Sequence, residues 1–309
     1  MIQIFMKKYN IVILLAFIWA SYYYSLGTSN NLLSPFAVGF VIRLITGLLL
    51  FLFLLSKHSL KKIQRSKQDI PLLISIGLMG YLLDVTAFLG SRYGNSVVGT
   101  LLLKTDVIMV GIMSAVFYKE KFSTRQWLMV ALMLVGEFMV LGVNTSEVSL
   151  EWADLLYVLS AFFVSCNVFL IRRAQKKRID NEIIAFYNNG VTFLLFLVSL
   201  LVDGNFASTN IKQNIYPLTT ALIVGSFGQF FVYIVYYNVL QRLPVRNVKI
   251  LLLLIPVITM FYDFLFTQAV PTPGKLLGTA IVLVSAVLIL KSNHSIKERN
   301  LSHGNASKK

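Results

Sequence analysis

The chain has 309 residues, 57% of them hydrophobic and 13% charged, with a mean hydropathy of +0.74. Soluble domains hold about 45–50% apolar and about 25% charged residues, so these figures indicate a polytopic membrane protein. The formal charge of +15 sits in short loops between apolar runs and forms no patterned basic face, so nucleic acid is not an expected partner.

Apolar segments recur at 10–26, 36–56, 70–88, 96–117, 126–143, 152–171, 183–201, 216–237, 245–266 and 275–290, ten spans in all. The connections are short, and none holds a separate globular domain. Basic residues collect in every second one: Lys7 and Lys8; Lys57, Lys61, Lys62, Arg65 and Lys67; Lys119, Lys121 and Arg125; Arg172, Arg173, Lys176, Lys177 and Arg178; Arg242 and Arg246; and the tail from Lys291. The alternate connections hold only Arg92, Lys212 and Lys275. By the positive-inside rule both termini are cytoplasmic, which agrees with an even number of spans in a cell (inner) membrane.

The first span follows Lys7 and Lys8 as a signal peptide would. However, Trp19, Tyr22, Tyr23 and Tyr24 are bulky where a cleavage site needs small residues, so the span is expected to stay. Its aromatic run reads mainly as packing and interface belt, with Trp19 as a candidate substrate contact. Arg43, in the outer half of the second span, needs a carboxylate, carbonyls or water beside it, as a structural pair or as a substrate contact. Asp84 occupies the outer half of the third span.

The fourth span carries Lys104 and Asp106 close to its middle, where a lone charge costs at least about 2.5–3.5 kcal/mol. Two positions apart on one helix, they point to different faces and do not pair with each other. Either both line a cavity, Lys104 for an anionic and Asp106 for a cationic group of a solute, or they pair elsewhere, Lys104 with Glu137 and Asp106 with Arg43. Glu137, in the fifth span, is costly to leave ionised in hydrocarbon. It and Asp106 are therefore the proton-coupling candidates.

Asn188 and Asn189 in the seventh span face a neighbouring helix or water. Gln229 and Tyr233, one turn apart in the eighth, form a polar wall with Asp84. Lys249 and Asp263 in the ninth are near enough to its ends to snorkel, and Pro256 removes an amide donor there. Pairs of small residues, Gly77 with Gly80 and Gly225 with Gly228 among them, allow close helix approach. Cys166 permits no intrachain disulfide or zinc site, and His58, His294 and His303 fall in polar loops or the tail, so no metal, cofactor or catalytic triad is expected. No ATP-binding motif appears.

The halves correspond at an offset of 149 residues: the stretch from Asn95 aligns with that from Pro244, long span, turn and shorter span without a gap. Each half, 1–147 and 148–291, has five spans, so the two would lie inverted, as in many secondary transporters; 292–309 is a polar cytoplasmic tail.

Four stretches resemble the drug/metabolite transporter superfamily, and within it the EamA-type ten-helix carriers. They are Leu15-Ala16-Phe17-Ile18-Trp19-Ala20-Ser21; Phe117-Tyr118-Lys119-Glu120 with Ser123, Thr124 and Gly136; Trp152-Ala153-Asp154-Leu155-Leu156; and Ile255-Pro256-Val257. Ala269 stands at the repeat position of Glu120 and Ser285 at that of Gly136. The first span lacks the acid that related small multidrug-resistance proteins use for proton coupling.

The resemblance implies an all-α membrane fold and an exporter or exchanger of a small polar metabolite, amino-acid-like foremost, working by alternating access. Phosphate-exchanging relatives hold an anion with basic residues on the helices of Lys104 and Lys249. Organic anions or phosphorylated metabolites are thus an alternative, beside multidrug/proton antiport and a non-transporting membrane protein. Trp19, Arg43, Asp84, Lys104, Asp106, Gln229, Tyr233 and Lys249 are the cavity candidates. The expected partners are a small-molecule substrate and the lipid bilayer, with homodimerisation left open; no enzymatic activity is expected.

Overall fold

In the computed structural model, which describes residues 2–30, 32–94, 96–118, 123–142, 151–205, 214–268 and 270–288, every regular element among them is helical. Glu120, Ala269 and the tail from 292 lie outside the described residues, as do the side chains of Lys7, Lys8 and Asp263. The helices are α1 (Ile2–Asn30), α2 (Pro35–Ser56), α3 (Leu60–Arg65), α4 (Ile70–Tyr93), α5 (Ser96–Leu103), α6 (Thr105–Tyr118) and α7 (Thr124–Leu141). They continue as α8 (Asp154–Lys176), α9 (Asn181–Asp203), α10 (Ile215–Arg242), α11 (Val245–Leu251), α12 (Ile255–Thr267) and α13 (Pro273–Leu288).

Local chemistry sets many of their ends. Ser34, with an extended backbone, accepts a hydrogen bond from the Ala37 amide at 3.2 Å, and Pro35 follows where a missing N–H is no loss. Ser123 and Gln126 cap each other's backbone amides at the start of α7, and Gly142 closes that helix with φ +66°.

Among the described residues, eight segments are long and apolar enough to cross a membrane: Pro35–Ser56, Ile70–Tyr93, Val98–Phe117, Thr124–Leu141, Asp154–Lys176, Asn181–Asp203, Ile215–Arg242 and Val245–Tyr262. Two shorter apolar helices, Asn10–Tyr22 and Pro273–Leu288, accompany them. Leu48, Leu52, Val116 and Leu201 are exposed on the outside, an apolar surface that suits lipid rather than water.

Two of these segments are interrupted, where the sequence predicts continuous helices. The fourth breaks at Lys104, whose amide bonds back to the Leu101 carbonyl at 3.0 Å, while the Thr105 hydroxyl takes the Leu102 carbonyl at 2.6 Å. Side-chain capture of a freed carbonyl is what lets a helix pause without glycine or proline. The ninth tightens into a 3₁₀ turn at Leu252–Leu254, and Pro256 lies in the first turn of α12, so it opens a helix rather than kinking one. At the offset of 149, Lys104 falls on Leu253, inside that turn.

The packing comes in matched pairs under the same offset. α1 lies on α10 as α8 lies on α4; α2 meets α10 as α9 meets α4; α1 meets α12 as α8 meets α6. Where α4 crosses α9, Gly77 and Gly80 face Val191 and Asn188 with no room for a side chain. α7 crosses α13 at Gly136 and Gly278, and a Cβ on Gly278 would lie 2.6 Å from the Gly136 carbonyl oxygen.

Candidate functional site

Between the helices lies a cavity of about 410 Å³. All eight cavity candidates named from the sequence line it: Trp19 from α1, Arg43 from α2, Asp84 from α4, Lys104 from the break, Asp106 from α6, Gln229 and Tyr233 from α10, and Lys249 from α11.

The charges fall into two arrangements. Arg43 donates to the Asp84 carboxylate and to the Tyr233 hydroxyl, and its guanidinium carbon stands 5.5 Å from the centre of the Tyr233 ring. Asp84 and Tyr233 are equivalent positions at the offset of 149, so one guanidinium joins matched places in the two halves. Around it, Asn189 donates to the Arg43 carbonyl at 2.9 Å, and Asn188 donates to the Tyr237 hydroxyl at 2.6 Å. Both asparagines therefore bond to neighbouring helices.

In the second arrangement the Lys249 ammonium donates to Asp106 at 2.7 Å and stands 6.0 Å from the ring centres of both Trp19 and Tyr236. This corrects two expectations. Asp106 pairs with Lys249, not Arg43, because the break turns the start of α6 toward α11. Lys249 does not reach for an interface: it is 3% exposed, held between a carboxylate and aromatic faces.

Lys104 differs from both. Its side chain faces the cavity and makes no ion pair or hydrogen bond among the described residues, with Glu137 or otherwise. Glu137 is not a cavity-lining residue. It is fully buried on α7, and neither carboxyl oxygen has a hydrogen-bond partner among the described residues.

Tyr236, Tyr237, Tyr157 and Asn167 also line the cavity and went unnamed in the sequence reading. Gln229, Tyr233, Tyr236 and Tyr237 follow an i, i+4, i+7, i+8 spacing, one helical face, and that spacing is the signal that points to the two tyrosines. Among the described residues no group of three or more His, Cys, Asp or Glu is placed to hold a metal ion.

Against known families, the model of the EamA-like transporter family matches residues 6–142 and 151–291. The chain belongs to the EamA-like transporter family. It is a multi-pass membrane protein, and two relatives are named as transporters. An uncharacterized transporter of Archaeoglobus fulgidus is 20% identical over 288 residues, 93% of this chain and 99% of the relative. The uncharacterized transporter YdfC of Bacillus subtilis is 21% identical over 220 residues, 70% of each chain. A solved crystal structure superposes with a TM-score of 0.72 at 16% identity, covering 91% of this chain and 96% of that one; the likeness is one of fold. The cavity described above is thus that of an EamA-like membrane transporter.

Proposed function

We propose that this EamA-like protein is a secondary transporter of small polar metabolites that carry a carboxylate, amino-acid-like compounds foremost, working outward or by exchange. The observation that carries this reading is Lys104, which has no ion-pair partner among the described residues. Three cations, Arg43, Lys104 and Lys249, and two carboxylates, Asp84 and Asp106, line the cavity. Two of the cations are neutralised, which leaves Lys104 to take an anionic group. Trp19 and Tyr236 with Asp106 surround the ammonium of Lys249, so a substrate amino group would take that corner by displacing Lys249 from Asp106. A volume of about 410 Å³ falls within the range of small-molecule sites, about 300–1,000 Å³.

In this reading α1 and α13 also span the bilayer of the inner membrane. The chain then has ten spans in two inverted halves, 1–147 and 148–291, with both termini cytoplasmic. The paired helix contacts, the two breaks at equivalent positions and the double family match support it. Rocking of the halves would expose the cavity to each side in turn.

The test is a thermal-shift screen of the purified protein against metabolites, followed by flux of each hit into liposomes. Lys104→Ala and Asp106→Asn should each cut flux at least about tenfold, the loss of about 1.4 kcal/mol of binding. Wild-type kinetics in both variants would sink the cavity role. A second reading, organic anions or phosphorylated metabolites, is favoured by the positive excess alone. Hits confined to compounds without an amino group would select it.

A further inference from the structure

We infer that Glu137 is a proton-binding site set beside the substrate cavity, and that Lys104 links it to the anionic end of the substrate. The first part rests on geometry alone; the second builds on the transport reading above.

Glu137 follows Gly136, where α7 touches α13, and precedes by one turn Leu141, which lines the cavity. The same stretch of α7 joins the apolar cluster of Met133, Leu253 and Val282. An ionised carboxylate in such surroundings, without a hydrogen bond or a cation in contact, is several kcal/mol out of balance. In this conformation, then, Glu137 is the neutral acid and its proton is bound.

Among the described residues, the charged groups whose fields reach Glu137 are Lys104 and Asp106. Lys275, on α13, meets α7 further along, at Gly142. Asp106 is already matched by Lys249, whereas Lys104 has no carboxylate in contact among the described residues. Lys104 is therefore the one cation among these that is free to serve as counter-ion when Glu137 releases its proton to cavity water.

A substrate carboxylate on Lys104 removes that counter-ion, so Glu137 keeps its proton while the anionic group is bound. Binding free energies are reciprocal, so a bound substrate strengthens proton binding and a bound proton strengthens substrate binding.

The experiment needs no substrate. The full-length protein, reconstituted in lipid, is followed by infrared spectroscopy of the carboxylic-acid C=O stretch between about pH 5 and about pH 10. Wild type should show a band near neutral pH that disappears on raising the pH. Glu137→Gln should abolish it, Glu137→Asp should move its frequency, and Asp106→Asn should leave it in place. In Lys104→Met the band should outlast the wild-type band by about one pH unit or more. The inference is overturned by a spectrum that Glu137→Gln and Glu137→Asp both leave unchanged. It is equally overturned by a band that never titrates, or by identical titration in Lys104→Met. If the band behaves as stated but no carboxylate-bearing metabolite is transported, the substrate reading falls and the proton site stands.

Discussion

Arg43 has a carboxylate and a phenol as partners and is nearly buried in the cavity wall, so its neighbours depend on one another more than their separate contacts suggest. Asp84→Asn leaves the guanidinium buried without a counter-ion and should cost about 3–5 kcal/mol. Arg43→Met combined with Asp84→Leu removes both charges, so its melting temperature in detergent should fall less than that of either single variant. If the double variant loses as much as the two singles summed, the pair is not the coupled unit described. The identity of such residues was legible in the sequence because a charge inside an apolar span is rare and costly. Their partners were not. Whether Asp106 meets Arg43 or Lys249 depends on where α6 points, and hydropathy averaged over a window carries no direction.

At the level of helices, eight of the ten predicted spans could be read from apolar length, whereas the two interruptions could not. Lys104 and Thr105 pause a helix by hydrogen bonding, a mechanism with no residue as conspicuous as glycine or proline. Pro256 was visible, but its place in a first turn follows from the 3₁₀ segment before it.

The small-residue positions were legible in kind, with their facing partners set by the fold. Gly80 has Asn188 directly against it, so Gly80→Ala should cost about 1–3 kcal/mol of stability through overpacking. Adding Asn188→Ala should recover part of the loss, since it removes the obstructing amide; thermal denaturation of the purified pair of variants is the measurement. No recovery would mean that the Asn188 to Tyr237 hydrogen bond outweighs the clash. Ser123→Ala breaks the reciprocal cap of α7 and should cost about 1 kcal/mol, read as a lower melting temperature.

For the molecule as a whole, the loop-charge argument assigns each connection to a side. With Cys166 replaced by Ser, a cysteine at the exposed Lys62 should react with a membrane-impermeant maleimide only in inverted vesicles, and one at the exposed Asn205 only in intact cells. Labelling of both from one side would overturn the proposed topology.

Equivalence between the halves is also incomplete in a way that bears on direction. Asp84 and Tyr233 stand at corresponding places and share one guanidinium, yet one is an acid and the other a phenol. If the protein is the carrier proposed above, a passenger between such unlike walls would have a preferred way round, and its loading and discharge sites would differ in affinity.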